Sequence, residues 1–206
     1  QGILGGMRVL LNARFGATLA MVHGVFAQAT FGCLVSLATF TARGWREGRS
    51  IVHPEAGRLR LAGVGLTALV FLQIAFGAGL RHFGQAFFIH LATAAGILVL
   101  VLWIGFVAAL HEPIRRTLPR STFTLVAAVL LQVFLGVGVL ALVGVVPPGY
   151  GKAPTHAEAL LATAHVVGGA LLFAASLVFT LNSFRHVLSP VAPHTVDARP
   201  AVGVAG

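Results

Sequence analysis

Residues 83–110 read FGQAFFIHLATAAGILVLVLWIGFVAAL, an apolar run whose one ionisable side chain is His90. An α-helix needs ~20 predominantly apolar residues to cross a bilayer, so this run is long enough to span one. The stretches 15–42, 61–80, 121–146 and 159–184 are uncharged in the same way. Transmembrane β-strands do not fit, because they run to only ~10 residues and alternate in polarity. Charged residues make up 9% of the 206, against about a quarter in an ordinary soluble domain. The expected fold is therefore all-α. It is a polytopic helical membrane protein with five complete transmembrane helices, a C-terminal four-helix bundle and, in residues 1–12, the outer end of a sixth span.

Four regions are expected: 1–42 as the remainder of an N-terminal bundle, 43–60 as an inner loop, 61–186 as the four-helix bundle and 187–206 as a disordered tail. The opening QGILGG reads as the end of a span that begins before Gln1, which suggests a trimmed or partial chain. Cys33 is the only cysteine, so an intrachain disulfide or a CxxC site is excluded, and it reads as a small core residue.

The net charge of +9 would raise the question of nucleic acid in a soluble protein, but here the cations are sorted by loop. Arg43, Arg46, Arg49, Arg58 and Arg60 lie in one connection, Arg115, Arg116 and Arg120 in another, and Arg185 and Arg199 in the tail. The alternate connections hold only Arg8, Arg14, Arg81 and Lys152. By the positive-inside rule the richer set faces the cytoplasm. The expected setting is the inner (plasma) membrane of the cell, multi-pass, with the C-terminus cytoplasmic, a lipid bilayer as partner and no nucleic acid.

His23, His90 and His165 all fall on inward-running helices, each within about three turns of its start, and so lie in the outer half of the membrane. A hairpin repeat underlies this. Gln1 and Gly5 precede His23, Gln73 and Gly77 precede His90, and Gln132 and Gly136 precede His165 in one spaced pattern. Ionisable groups at membrane depth are costly and point to function. Pro54, Pro113, Pro119, Pro147, Pro148 and Pro154 punctuate the connections, and Thr155 with Glu158 reads as a capping box.

Two neutral imidazoles at one depth can supply both axial nitrogens of a haem iron. Ala86, Thr93, Ala94 and Ile97 share the helical face of His90, and Leu161, Gly168, Gly169 and Leu172 that of His165. Small neighbours let a flat macrocycle approach the backbone, although Gly168 and Gly169 equally suit close helix packing. Zinc would want more N or S ligands, and calcium or magnesium would want carboxylates, which no span contains. Arg81 at the outer mouth suits a haem propionate or a lipid headgroup. Gln73 and Gln132 suit bonds across helices. His53, His111, His186 and His194 read as solvated, His82 and His156 as outer-loop residues of open role.

QGILGG with HGVFA, QIAFGAGLRH with HLATA, and AHVVGGALL together resemble the haem A synthase family, in a match that extends to about residue 186. The resemblance implies tandem four-helix bundles, of which this chain spans the end of the third helix through the eighth. It implies haem b as cofactor, held by His90 and His165 as iron ligands, and substrate haem O at His23; Arg81, Gly168 and Gly169 are cofactor-binding candidates from the residue reading above. The implied activity is that of an oxidoreductase: oxidation of the C8 methyl of haem O to a formyl, with water as oxygen donor, yielding haem A for terminal oxidases. Haem O synthase and cytochrome oxidase assembly factors are the implied partners. The acidic residue that the family assigns to catalysis has no counterpart in this chain, which is therefore expected not to turn over alone. The paired loop cysteines of some members are also missing. Two other readings stand beside this one: a bis-histidine b-type cytochrome that only transfers electrons, and a haem-free scaffold or transporter whose histidines bond between helices.

Overall fold

The computed structural model describes residues 1–144 and 153–190. Its elements are α1 (Gly2–Leu10), α2 (Asn12–Thr41), α3 (Arg43–Glu47), β1 (Ile51–Val52), α4 (Ala56–Phe83), α5 (Phe87–Leu110), α6 (Glu112–Thr117), α7 (Pro119–Leu142), α8 (His156–His186) and β2 (Val187–Leu188). The protein is all-α, and the five long helices α2, α4, α5, α7 and α8 are long and apolar enough to cross a membrane.

Packing follows the order of the hairpins. Helix α4 packs against α5, α5 against α7, α7 against α8 and α8 back against α4, closing a ring in which α5 and α8 are diagonal. Helix α2 leans on α4 and α8 from outside, and α1 folds back on α2. Buried residues recur three or four apart along the facing stripes: Leu59, Gly63, Leu66 and Val70 on α4, Ile97, Val101 and Ile104 on α5, Leu125 and Val129 on α7, and Leu172, Ser176, Phe179 and Ser183 on α8. All of them occupy the end of the ring near α3 and α6. At the other end, no residue of 71–83, 87–96, 130–142 or 156–167 is buried.

The helix ends have local causes. Pro113 and Pro119 sit in the first turns of α6 and α7, where a missing N–H costs nothing. The capping box on α8 forms as expected. Thr155 Oγ1 accepts from the Glu158 amide at 3.3 Å, and Glu158 Oε2 accepts from the Thr155 amide at 2.7 Å. Gly84 ends α4 with φ 67°, and Ala86 opens α5 at φ 72°. The left-handed conformation at Ala86 costs roughly 1–2 kcal/mol and accompanies the tight reversal between the two helices.

Several expectations are corrected. The 43–60 connection is not simply a loop: it contains α3 and β1, and α4 begins at Ala56, because Ala56 and Leu59 are buried in the core. The tail expected from 187 starts instead with β2, which pairs in parallel with β1, Ile51 with Val187 and Val52 with Leu188. Arg60 Nη2 donates to the Val187 carbonyl at 2.6 Å and reinforces this latch. The latch draws in His186, expected to be solvated but only 6% exposed, and its ring meets Trp45 edge-on. Cys33 is exposed rather than in the core, since α2 is covered on one side only. His82 and His156 lie in the end turns of α4 and α8 rather than in loops, and Ala86 precedes α5 rather than sharing the face of His90. Pro147, Pro148, Lys152, His194 and Arg199 lie outside the described residues, as does the rest of the expected tail.

Close approach of α4 and α8 depends on Gly63, where a Cβ would lie 2.8 Å from Thr180 Oγ1 and 3.3 Å from its Cα. Gly63→Ala is expected to destabilise the protein by ~1–3 kcal/mol through overpacking. Gly65→Ala, with open space at its Cβ, should be neutral or stabilising. Thermal unfolding of both variants in detergent checks this, and equal midpoints would contradict it.

Candidate paired-histidine site

The repeated signature becomes one repeated contact. Gln73 and Gly77 are on α4 opposite His90 on α5, and Gln132 and Gly136 are on α7 opposite His165 on α8. Gln1 precedes α1, which carries Gly5, and His23 is on α2. In all three, the glutamine Nε2 donates to the backbone carbonyl of the histidine: 3.3 Å to His23, 2.8 Å to His90 and 3.0 Å to His165. In all three, the glycine lies against the ring. A Cβ at Gly5 would be 3.5 Å from Cε1 of His23, and at Gly77 and Gly136 it would be 3.1 Å from Cε1 of His90 and His165. Glutamine and glycine four apart share a helix face, so a tether and a bare surface are presented together to the same histidine.

This seating selects one ring nitrogen. Nδ1 of His23, His90 and His165 is buried, with no hydrogen-bond partner among the described residues. With Nδ1 turned into the neighbouring helix, Nε2 is the nitrogen that could take a ligand, at His165 in place of its 3.5 Å contact with Gln132 Nε2.

The diagonal helices α5 and α8 bring His90 and His165 together, edge to ring, across the ring's less packed end. Their ring centres are 6.4 Å apart, with the planes inclined by 75°. With metal–nitrogen bonds of ~2.0–2.1 Å and about 1.1 Å from ring nitrogen to ring centre, imidazoles on opposite sides of one metal have centres about 6.3 Å apart. The spacing therefore fits a shared metal. Among the described residues no group of three or more His, Cys, Asp or Glu could hold an ion, and the pair offers two nitrogen donors.

The other sequence candidates are placed differently. His23 has the same seat but forms no ring pair with another histidine among the described residues. Gly168 and Gly169 are buried against α7. A Cβ at Gly168 would collide with Gln132 Oε1, and one at Gly169 would lie 3.3 Å from Gln132 Nε2, so their small size serves the contact with that glutamine. Arg81 is exposed in the last turn of α4 and makes no ion pair among the described residues. Thr93 is engaged by Gln73, since its Oγ1 donates to Gln73 Oε1. A groove of about 580 Å³ runs between α2 and the bundle past Gly32, Cys33, Phe71 and Phe173 and contains none of the three histidines. Its lining is apolar and open, which suits acyl chains rather than chemistry.

Fold and site together define a helical membrane-type protein with paired histidines at one end of a four-helix ring. Compared with known protein families, curated proteins and solved structures, the chain shows no match.

Valine at Gly77 or Gly136 would occupy the ring's seat and is expected to cost ~1–3 kcal/mol. Gly79→Val, where a Cβ meets nothing within 4 Å, should cost less. Thermal midpoints in detergent decide, and a Gly79 variant as unstable as the other two would show that the ring contact is unimportant.

Proposed function

We propose that this chain is a haem-binding membrane protein of the haem A synthase type, with His90 and His165 as the axial ligands of a haem b. The observation that carries the reading is the pair of imidazoles from diagonal helices with centres 6.4 Å apart. Bound there, the haem would supply the redox chemistry. The chain's own contribution is to present Nε2 from both sides, to bury Nδ1, and to hold the ring positions through Gln73 and Gln132. Arg81 near the outer mouth is the proposed partner of a propionate.

His23 is the proposed ligand for the substrate, haem O. Its seat repeats that of the pair, with glycine against the ring and glutamine on the carbonyl. In the proposed reaction the C8 methyl is oxidised to a formyl through successive hydroxylations, with water giving the oxygen and the electrons leaving to a membrane acceptor. Haem A would then pass to a terminal oxidase, with haem O synthase and oxidase assembly factors as the proposed partners. The proposed setting is the plasma membrane, with the arginine-rich end and the C-terminus toward the cytoplasm. A second reading, an electron-transfer cytochrome of b type, is favoured by the solitary position of His23 beside a complete pair.

The protein loaded with haem in detergent should give a low-spin b-type spectrum, lost or turned high-spin in both His90→Ala and His165→Ala. If haem is held between rings at this 75° inclination, its iron dπ orbitals would be nearly degenerate, and the oxidised form should show a strongly anisotropic low-spin EPR signal. His23→Ala should keep that spectrum and lose haem O binding, whereas the cytochrome reading expects no effect of His23→Ala on either. A folded wild type that stays colourless with haem supplied would overturn both.

A further inference from the structure

The two paired histidines are not held equally. Both ends of the Gln73 carboxamide are engaged: its Nε2 donates to the His90 carbonyl at 2.8 Å, and its oxygen accepts from Thr93 Oγ1. Thr93 Oγ1 also lies 2.7 Å from the Ile89 carbonyl and 3.1 Å from the His90 carbonyl, so its one proton is shared among acceptors that include the Gln73 oxygen. On the other side, Gln132 Nε2 donates to the His165 carbonyl at 3.0 Å and lies 3.5 Å from His165 Nε2, but Gln132 Oε1 is buried with no donor among the described residues. The residue three beyond each histidine makes the difference. It is Thr93 after His90 and Gly168 after His165, where a Cβ would collide with the amide oxygen. A buried acceptor without a donor is a penalty that any rotation of Gln132 relieves, and the tether on His165 is then lost.

Resting on the haem reading above, we propose that Gln73 and Gln132 are positioning residues for the axial imidazoles, and that His165 is the ligand that yields. A small neutral iron ligand would then enter on the His165 side. The inequality lies in this chain's own residues: a carboxamide fixed at both ends against one fixed at a single end.

The test is carbon monoxide titration of the reduced, haem-loaded protein, with EPR of its oxidised form. Gln132→Leu should raise the carbon monoxide-reactive fraction by about fivefold, the factor that one ordinary hydrogen bond is worth, and should shift the low-spin EPR signal as the ring turns. Thr93→Val leaves both glutamines in place and only makes the His90 side as loose as the other. It should raise uptake by no more than about twofold, with Thr93→Ser restoring the wild-type value. An unchanged Gln132→Leu would overturn the proposal, as would a larger effect in Thr93→Val, and the threonine variants decide even if Gln132→Leu does not fold. A wild type that binds no haem would overturn the haem reading and this inference with it, an outcome distinct from a coloured protein with indifferent glutamines.

Discussion

A carboxamide at membrane depth has no water to bond, and Gln73 and Gln132 resolve this on the backbone carbonyls of His90 and His165. Much of the site's arrangement depends on that bond. Apolar helices in lipid have little hydrophobic reason to choose one neighbour or one register over another, so a directional bond between defined residues carries unusual weight. By choosing the histidine's own carbonyl, each glutamine sets the level of the imidazole relative to the preceding helix. The glycine one turn later then decides how near the ring may come.

The ring of helices divides its labour along its length. At the α3 and α6 end, Leu59, Ile104, Leu125 and Phe179 are sealed together, and the β1–β2 latch with Arg60 closes the base. Interdigitated side chains there fix the helix angles. The opposite half is less packed, with Gly168 and Gly169 against Gln132 as its buried residues among those described, and there His90 and His165 meet. A well-packed base is what permits a less packed mouth, because interfaces that contribute stability need not be those that contribute the site.

Legibility in the sequence follows the same division. The spans are readable because an apolar run of bilayer length without a single charge is rarely anything but a spanning helix. The α8 cap is readable because Thr155 and Glu158 stand at the spacing that reciprocal bonds require. The hairpin repeat suggests the pairing of His90 with His165. The partners of Gln73 and Gln132 are not readable, since a backbone carbonyl has no identity in a sequence. Burial of His186 is masked by its neighbour Arg185 and by a latch of two-residue strands, too short for any periodic signal. Gly168 and Gly169 are ambiguous for a physical reason: a bare backbone admits a macrocycle and a neighbouring glutamine equally well, and geometry alone shows that Gln132 lies there.

Diagonal placement adds a constraint that adjacent helices would not have. Helices α5 and α8 reach their separation through α4 and α7, the same helices that carry the glutamines and the ring-facing glycines. The ring spacing is thus a sum of neighbour contacts. Two of them are tight: Gly63 against Thr180, beside the 2.9 Å bond between the Thr67 and Thr180 hydroxyls, and Gly105 against Val126, where a Cβ would lie 3.2 Å away. These contacts lie toward the packed base, far along the helices from His90 and His165. A small change of crossing angle there is magnified at the mouth, as at the end of a lever. The small residues at the base and the paired imidazoles at the mouth therefore belong to one mechanical requirement, that rings carried on diagonal helices hold a fixed distance.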